Sequence, residues 1–137
     1  MRLTRRYRFS ASHRLYSNTL SNEKNREIYG KCANPYGHGH DYLLEVSVHG
    51  PLDERTGRIV DLDSLDGIVR DLILQPFEHA NLNTDVEEFG TLVPTTENLA
   101  LVVEKRLERE WPARFSDTKL DRIRIWETRR NIFEVRA

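Results

Sequence analysis

Within 31-KCANPYGHGHDY-42 stand one cysteine, two histidines spaced by a single residue, and a loop broken by Pro and Gly. Imidazole nitrogen and thiolate sulfur both bind zinc, and a thiolate that stays off the metal is also a base. Cys32 precedes His38 by six positions, so the same atoms allow two centres. If Cys32 joins His38, His40 and a further histidine, four ligands close the site and the metal is structural. If Cys32 stands beside three histidines instead, a coordination position is open and a thiol is free to take a proton.

His13 is the candidate for the third histidine. From Tyr7 to His13, the residues Tyr7, Phe9, Ala11 and His13 alternate with Arg8, Ser10 and Ser12, the period of a half-buried strand, which turns His13 to the apolar face. A second strand from about Gly39 to Gly50 sets His40, Tyr42, Leu44, Val46 and Val48 against Asp41, Leu43, Glu45, Ser47 and His49. Side chains two residues apart on a strand point the same way about 7 Å apart, so His38 and His40 can turn toward one ion. A single inward histidine is more ordinarily a hydrogen-bonded core residue, and that reading stays open on spacing alone. His49 falls on the outer parity and is left out of the site.

Three acids and another histidine complete the inventory. In 77-FEHANLN-83, Glu78 precedes His79, and a carboxylate beside an imidazole can orient the ring and stabilise its protonated form, as an acid/base pair requires. Glu97 follows 94-PTT-96 and reads most simply as a first-turn acid on a helix whose N-cap is a Thr. Glu127 shares the parity of Ile123 and Ile125, and an inward carboxylate needs a partner.

The rest of the chain supplies the frame. Leu15 to Tyr36 is polar, without a convincing period, and reads as a long loop. The segment 53-DERTG-57 is a turn, and Leu62, Leu65, Val69 and Leu72 predict a helix over 62–73 that Pro76 ends. A second helix carries the stripe Leu99, Val102, Val103 and Leu107 and is closed by Pro112, and 120–127 with 131–136 predict a hairpin. The expected plan is α+β: an antiparallel sheet with two helices on one face.

At 137 residues the chain fits one domain, 1–137, able to bury a core without disulfides, and its single cysteine suits a reducing cytoplasm. A formal net charge of -1 argues for neither a nucleic-acid partner nor a membrane surface. The opening MRLTRRYRFS lacks the apolar core of a signal peptide, and no apolar run is long enough to span a bilayer.

The phrases 9-FSASHRL-15, 30-GKCANPYGHGHDY-42, 56-TGRIVDL-62, 78-EHANLN-83, 95-TTEN-98 and 126-WETRRN-131 together resemble the 6-pyruvoyltetrahydropterin synthase family, in order and over nearly the whole chain. The resemblance implies a T-fold, ββααββ, whose four-stranded sheets join between subunits into a barrel, commonly as a homohexamer made of two trimers with active sites at subunit interfaces. It implies zinc on His13, His38 and His40, Cys32 as a base outside the metal's ligands, His79 as a relay histidine and Glu127 as the carboxylate anchoring a pterin ring. Glu97, Thr95 and Thr96 match positions around the same pocket. Glu78 departs from the family, which usually has Asp there, and the added methylene bears on its reach to His79 or Cys32. The implied substrate is 7,8-dihydroneopterin triphosphate. A similar branch forms 6-carboxytetrahydropterin and acetaldehyde, but it tends to carry three residues between cysteine and the first metal histidine, whereas five separate Cys32 from His38, as in the pyruvoyl-forming branch. The rival of another class is a zinc-stabilised binding module with Cys32 as fourth ligand. A zinc hydrolase, with Glu127 or Glu78 activating water, is a further alternative.

Overall fold

The computed structural model describes residues 1–137. Strand β1 spans Arg2–His13, starting well before the alternation at Tyr7 predicts. Arg5, at inward parity, hides the earlier part of the pattern. Its guanidinium is answered by Asp66, with Nε donating to Oδ1 at 2.6 Å and Nη2 to Oδ2 at 2.9 Å, so a charge is tolerated on that face.

Strand β2 spans His38–His49 and pairs with β1 along its whole length, from Arg2 opposite His49 to His13 opposite His38. Strands β3 (Lys119–Trp126) and β4 (Ile132–Arg136) complete an antiparallel sheet in the order β1-β2-β3-β4. The strand alternation fixes which side is apolar: Tyr42, Leu44, Val46 and Val48 of β2, with Ile123 and Ile125 of β3, are buried. Burying each such side chain is worth about 1.5–3 kcal/mol.

Two helical rods cover that face. The first is α2 (Leu62–Val69), capped by Asp61, whose side chain accepts from Ser64 N; it passes through a π turn, Arg70–Leu74, into α3 (Gln75–Phe77). Pro76 therefore does not end the rod. Proline has no N–H for the carbonyl four residues back, that of Leu72, and this carbonyl accepts from Arg106 Nη1 at 3.1 Å. After a short α4 (Leu82–Asp85), the second rod is α5 (Thr96–Arg114), with Thr95 as its N-cap. Pro112 lies inside α5 rather than closing it, because proline's fixed φ suits a helix and the Glu108 carbonyl it leaves unpaired is on an exposed residue.

The polar stretch 15–36 is not the structureless loop the sequence predicts. It contains α1 (Asn22–Tyr29), capped by Ser21, and a 3-10 turn at Gly30–Ala33. The buried residue of α1 is Asn25, whose amide donates to the carbonyls of Ser17 and Ser21 and accepts from Ser17 N at 2.7 Å. A helix held by a polar anchor shows no apolar period. No helix is long and apolar enough to cross a membrane.

Candidate active site

The β1–β2 register brings the end of one strand against the start of the next, and with it the three histidines. The His13 ring centroid lies 4.8 Å from that of His38 and 5.0 Å from that of His40, and the last two are 4.7 Å apart. Their potential ligand nitrogens all fall within 4.8 Å of one another. Gly37 leads into this cluster at φ 68°, and a Cβ there would sit 2.9 Å from the His13 carbonyl oxygen, so the close approach of loop to strand needs glycine.

Hydrogen bonding sets the chemistry of these rings. His13 Nδ1 faces the Pro94 carbonyl at 2.9 Å; a carbonyl only accepts, so Nδ1 carries the proton and Nε2 keeps its lone pair. Nε2 of His13 and of His40 are both buried with no partner. Buried polar atoms are rarely left so, and two orphaned nitrogens aimed into one histidine cluster fit a metal ion. Burial pushes the His13 pKa down to about 4, against the opposing pull of the Pro94 carbonyl and with help from the neighbouring histidines. His40 is lowered as well, mainly by burial, although Glu127 opposes it. At neutral pH these two imidazoles are uncharged, the form that ligates metals.

On one flank stands Cys32, on the Gly30–Ala33 turn. That turn is tied to the strand end by Leu15 N donating to the Cys32 carbonyl at 2.6 Å and Arg14 Nε donating to the Ala33 carbonyl at 3.0 Å. Cys32 Sγ lies 3.7 Å from His38 Nε2 and does not belong to the cluster of ligand atoms. Burial raises its thiol pKa, and the charge of Glu127 adds to the effect. On the other flank is Glu127, whose Oε1 is 3.9 Å from His40 Nε2 and whose Oε2 accepts from the Thr96 hydroxyl. Thr96 is buried, and the Thr95 side chain accepts from Asn98 N at 3.2 Å to cap α5. Glu97, one residue on, is exposed in the first turn of α5.

The Glu78–His79 turn is placed elsewhere. His79 adopts φ 58°, its side chain is 83% exposed, and its N–H donates to the Ser10 carbonyl at 2.6 Å. Glu78 Oε1 accepts from Ser10 N at 3.0 Å and stands 3.5 Å from His79 Nε2, so the longer side chain does reach the imidazole. His79 lines a cavity of about 300 Å³ with Ser10, His40 and Asp41, whereas Cys32 lines another, of about 760 Å³, with His38, Arg26 and Lys31. Within one chain, no hydrogen bond joins His79 to Cys32. Sequence reasoning missed the Pro94 carbonyl, which carries no signal of its own, and Arg26, which reaches the site through α1.

A family model described as 6-pyruvoyl tetrahydropterin synthase matches residues 2–137. The 6-pyruvoyl tetrahydrobiopterin synthase of Poecilia reticulata is 45% identical over 135 residues, covering 98% of this chain and 89% of that protein. The Homo sapiens protein of the same name is 43% identical over 130 residues, covering 95% and 87%. The solved structure of Caenorhabditis elegans 6-pyruvoyl tetrahydropterin synthase superposes with a TM-score of 0.90 at 37% identity, over 100% of this chain and 95% of that one.

Proposed function

The chain belongs to the 6-pyruvoyl tetrahydropterin synthase family, and from that premise we propose that it is a zinc-dependent lyase. It converts 7,8-dihydroneopterin triphosphate to 6-pyruvoyl-tetrahydropterin, releasing triphosphate, as one T-fold unit over 1–137. The carrying observation is the three-histidine cluster with orphaned, buried Nε2 atoms, flanked by a thiol on one side and a carboxylate on the other.

His13, His38 and His40 would hold the ion, and bound zinc supplies Lewis acidity toward the substrate's side-chain hydroxyls. Glu127, already held by Thr96, accepts from the amide and amino N–H groups of the pterin edge and sets the ring beside His40. Cys32 takes a proton from the side-chain carbons on the His38 flank. Because burial keeps this thiol protonated in the metal-free chain, it needs a partner base, and His79, oriented by Glu78, is that base. The redox change is internal: one side-chain hydroxyl carbon is oxidised as the ring imine is reduced, while departure of triphosphate turns the rest of the chain into a methyl ketone.

The separation of His79 from Cys32 within one chain supports a shared site, in which His79 of one subunit serves Cys32 of another. The outer strands β1 and β4 leave two sheet edges, and joining sheets into a barrel removes them. A homohexamer built as a dimer of trimers, working in the cytoplasm, satisfies both requirements.

The test is mass spectrometry of the products after zinc-loaded protein meets 7,8-dihydroneopterin triphosphate anaerobically. The expected mass is that of 6-pyruvoyl-tetrahydropterin. A 6-carboxytetrahydropterin mass with acetaldehyde would assign the other branch, and untouched substrate would overturn the enzymatic reading.

A further inference from the structure

Arg14 and Lys31 both lie near the Cys32 turn in sequence, but the fold gives them different work. Arg14 is committed: its Nε donates to the Ala33 carbonyl at 3.0 Å and its guanidinium carbon sits 4.3 Å over the Tyr16 ring. Lys31 has no carboxylate partner, and neither does Arg26, which reaches the same place from the last turn of α1. The nearby Glu27 is taken by Lys24 at 3.3 Å. The last-turn position of Arg26 also suits the helix dipole, which accounts for a cation on that turn but not for the cavity it enters.

That cavity, about 760 Å³, is lined by Arg26, Lys31, Cys32, Asn34 and His38 with small neighbours, and it contains no acid. In a chain whose acidic residues outnumber the basic ones by 22 to 21, two unpaired cations facing one acid-free cavity make a local anion site. Its place in the site is ordered. Glu127 stands 3.9 Å from His40, the histidine rings follow at 4.7–5.0 Å, Cys32 is 3.7 Å from His38, and the two cations line the cavity that Cys32 and His38 share. The substrate has the same order: a ring with amide edge, a short hydroxylated chain, then a triphosphate.

Building on the function proposed above, we propose that Arg26 and Lys31 hold the substrate's triphosphate in the cavity beside Cys32. Arg26 offers a planar fork to phosphate oxygens and Lys31 a mobile point charge. Both stabilise the charge that grows on the bridging oxygen as triphosphate departs, and they fix the carbon chain over the histidines.

Arg26→Ala, Lys31→Ala and the double variant test this by two routes. Independently of turnover, calorimetry measures inorganic triphosphate binding to the zinc-loaded protein. Kinetics measure KM for the pterin triphosphate. Both side chains are exposed, so zinc content and thermal midpoint should match the wild type. Each single variant should weaken triphosphate binding about tenfold or more, the size of a lost charge-assisted contact. KM should rise in step, and the exchange Arg26→Lys with Lys31→Arg should restore most of the affinity. Unchanged triphosphate binding in the double variant, or none in the wild type, overturns the subsite whatever the product is. A wild type that binds triphosphate in an Arg26- and Lys31-dependent way yet leaves the pterin unconverted overturns the function and leaves the subsite standing.

Discussion

The histidine cluster and the Glu78–His79 turn carry similar residues in opposite circumstances. His13 is buried, its tautomer is set by the Pro94 carbonyl, and its free nitrogen meets two other imidazoles across one strand pair. His79 has an 83% exposed side chain, is held in left-handed backbone at φ 58°, and sets its imidazole 3.5 Å from the neighbouring Glu78 carboxylate. The three potential ligands already converge within one folded chain, whereas a proton relay can be divided between subunits. The proposed relay needs a second chain to bring His79 to Cys32.

Removing a ligand should break this comparison most severely. His38→Ala should lose zinc and, with it, several kcal/mol of transition-state stabilisation, a drop in kcat on the order of 10³-fold or more; metal analysis beside steady-state rates checks it. Cys32→Ala should cut kcat by about 10²–10⁴-fold, the range for a general base, while zinc content and melting temperature stay at wild-type values. His79→Ala should cost about 10²-fold and also spare the metal. Refolding Cys32→Ala and His79→Ala chains together should then recover activity that neither has alone, because mixed assemblies contain sites with both groups intact. No recovery would place both groups in one chain's site.

Smaller effects sharpen the structural half. Gly37→Ala adds a Cβ 2.9 Å from the His13 carbonyl oxygen at positive φ, and should cost about 1–3 kcal/mol in urea denaturation and weaken zinc retention. The pH dependence of the metal-free protein should follow His13. Its pKa in the folded chain, about 4, is below the ordinary 6.5, so the unfolded chain takes up the proton first. Stability contributed by the neutral ring is fully present above about pH 6.5 and is lost as pH falls toward 4, which the urea midpoint of metal-free protein reports.

The histidine cluster was legible because strand alternation has a period of two: Ala11 and His13 share a parity, His38 and His40 share the next, and antiparallel register does the rest. The hairpin and the two rods followed from apolar spacing. Helix α1 was not legible, since its anchor is the polar Asn25, and Arg26, one residue on, was hidden with it. Both prolines misplaced a helix end for one reason. A proline costs a helix one hydrogen bond and crowds the carbonyl four residues back, and here Arg106 answers the Leu72 carbonyl while the Glu108 carbonyl is on an exposed residue. Glu97, read from the sequence as a first-turn acid and set near the pocket only by the family resemblance, lies exposed at the start of α5, while its neighbour Thr96 donates to Glu127.

X-ray absorption at the zinc edge of the loaded protein distinguishes an open centre of three histidines, with Cys32 outside it, from a closed one. An open centre shows nitrogen or oxygen scatterers at about 2.0–2.1 Å and no sulfur, which is the expected result. A sulfur at about 2.3 Å that disappears in Cys32→Ala would make the centre closed and Cys32 a fourth ligand instead of a base.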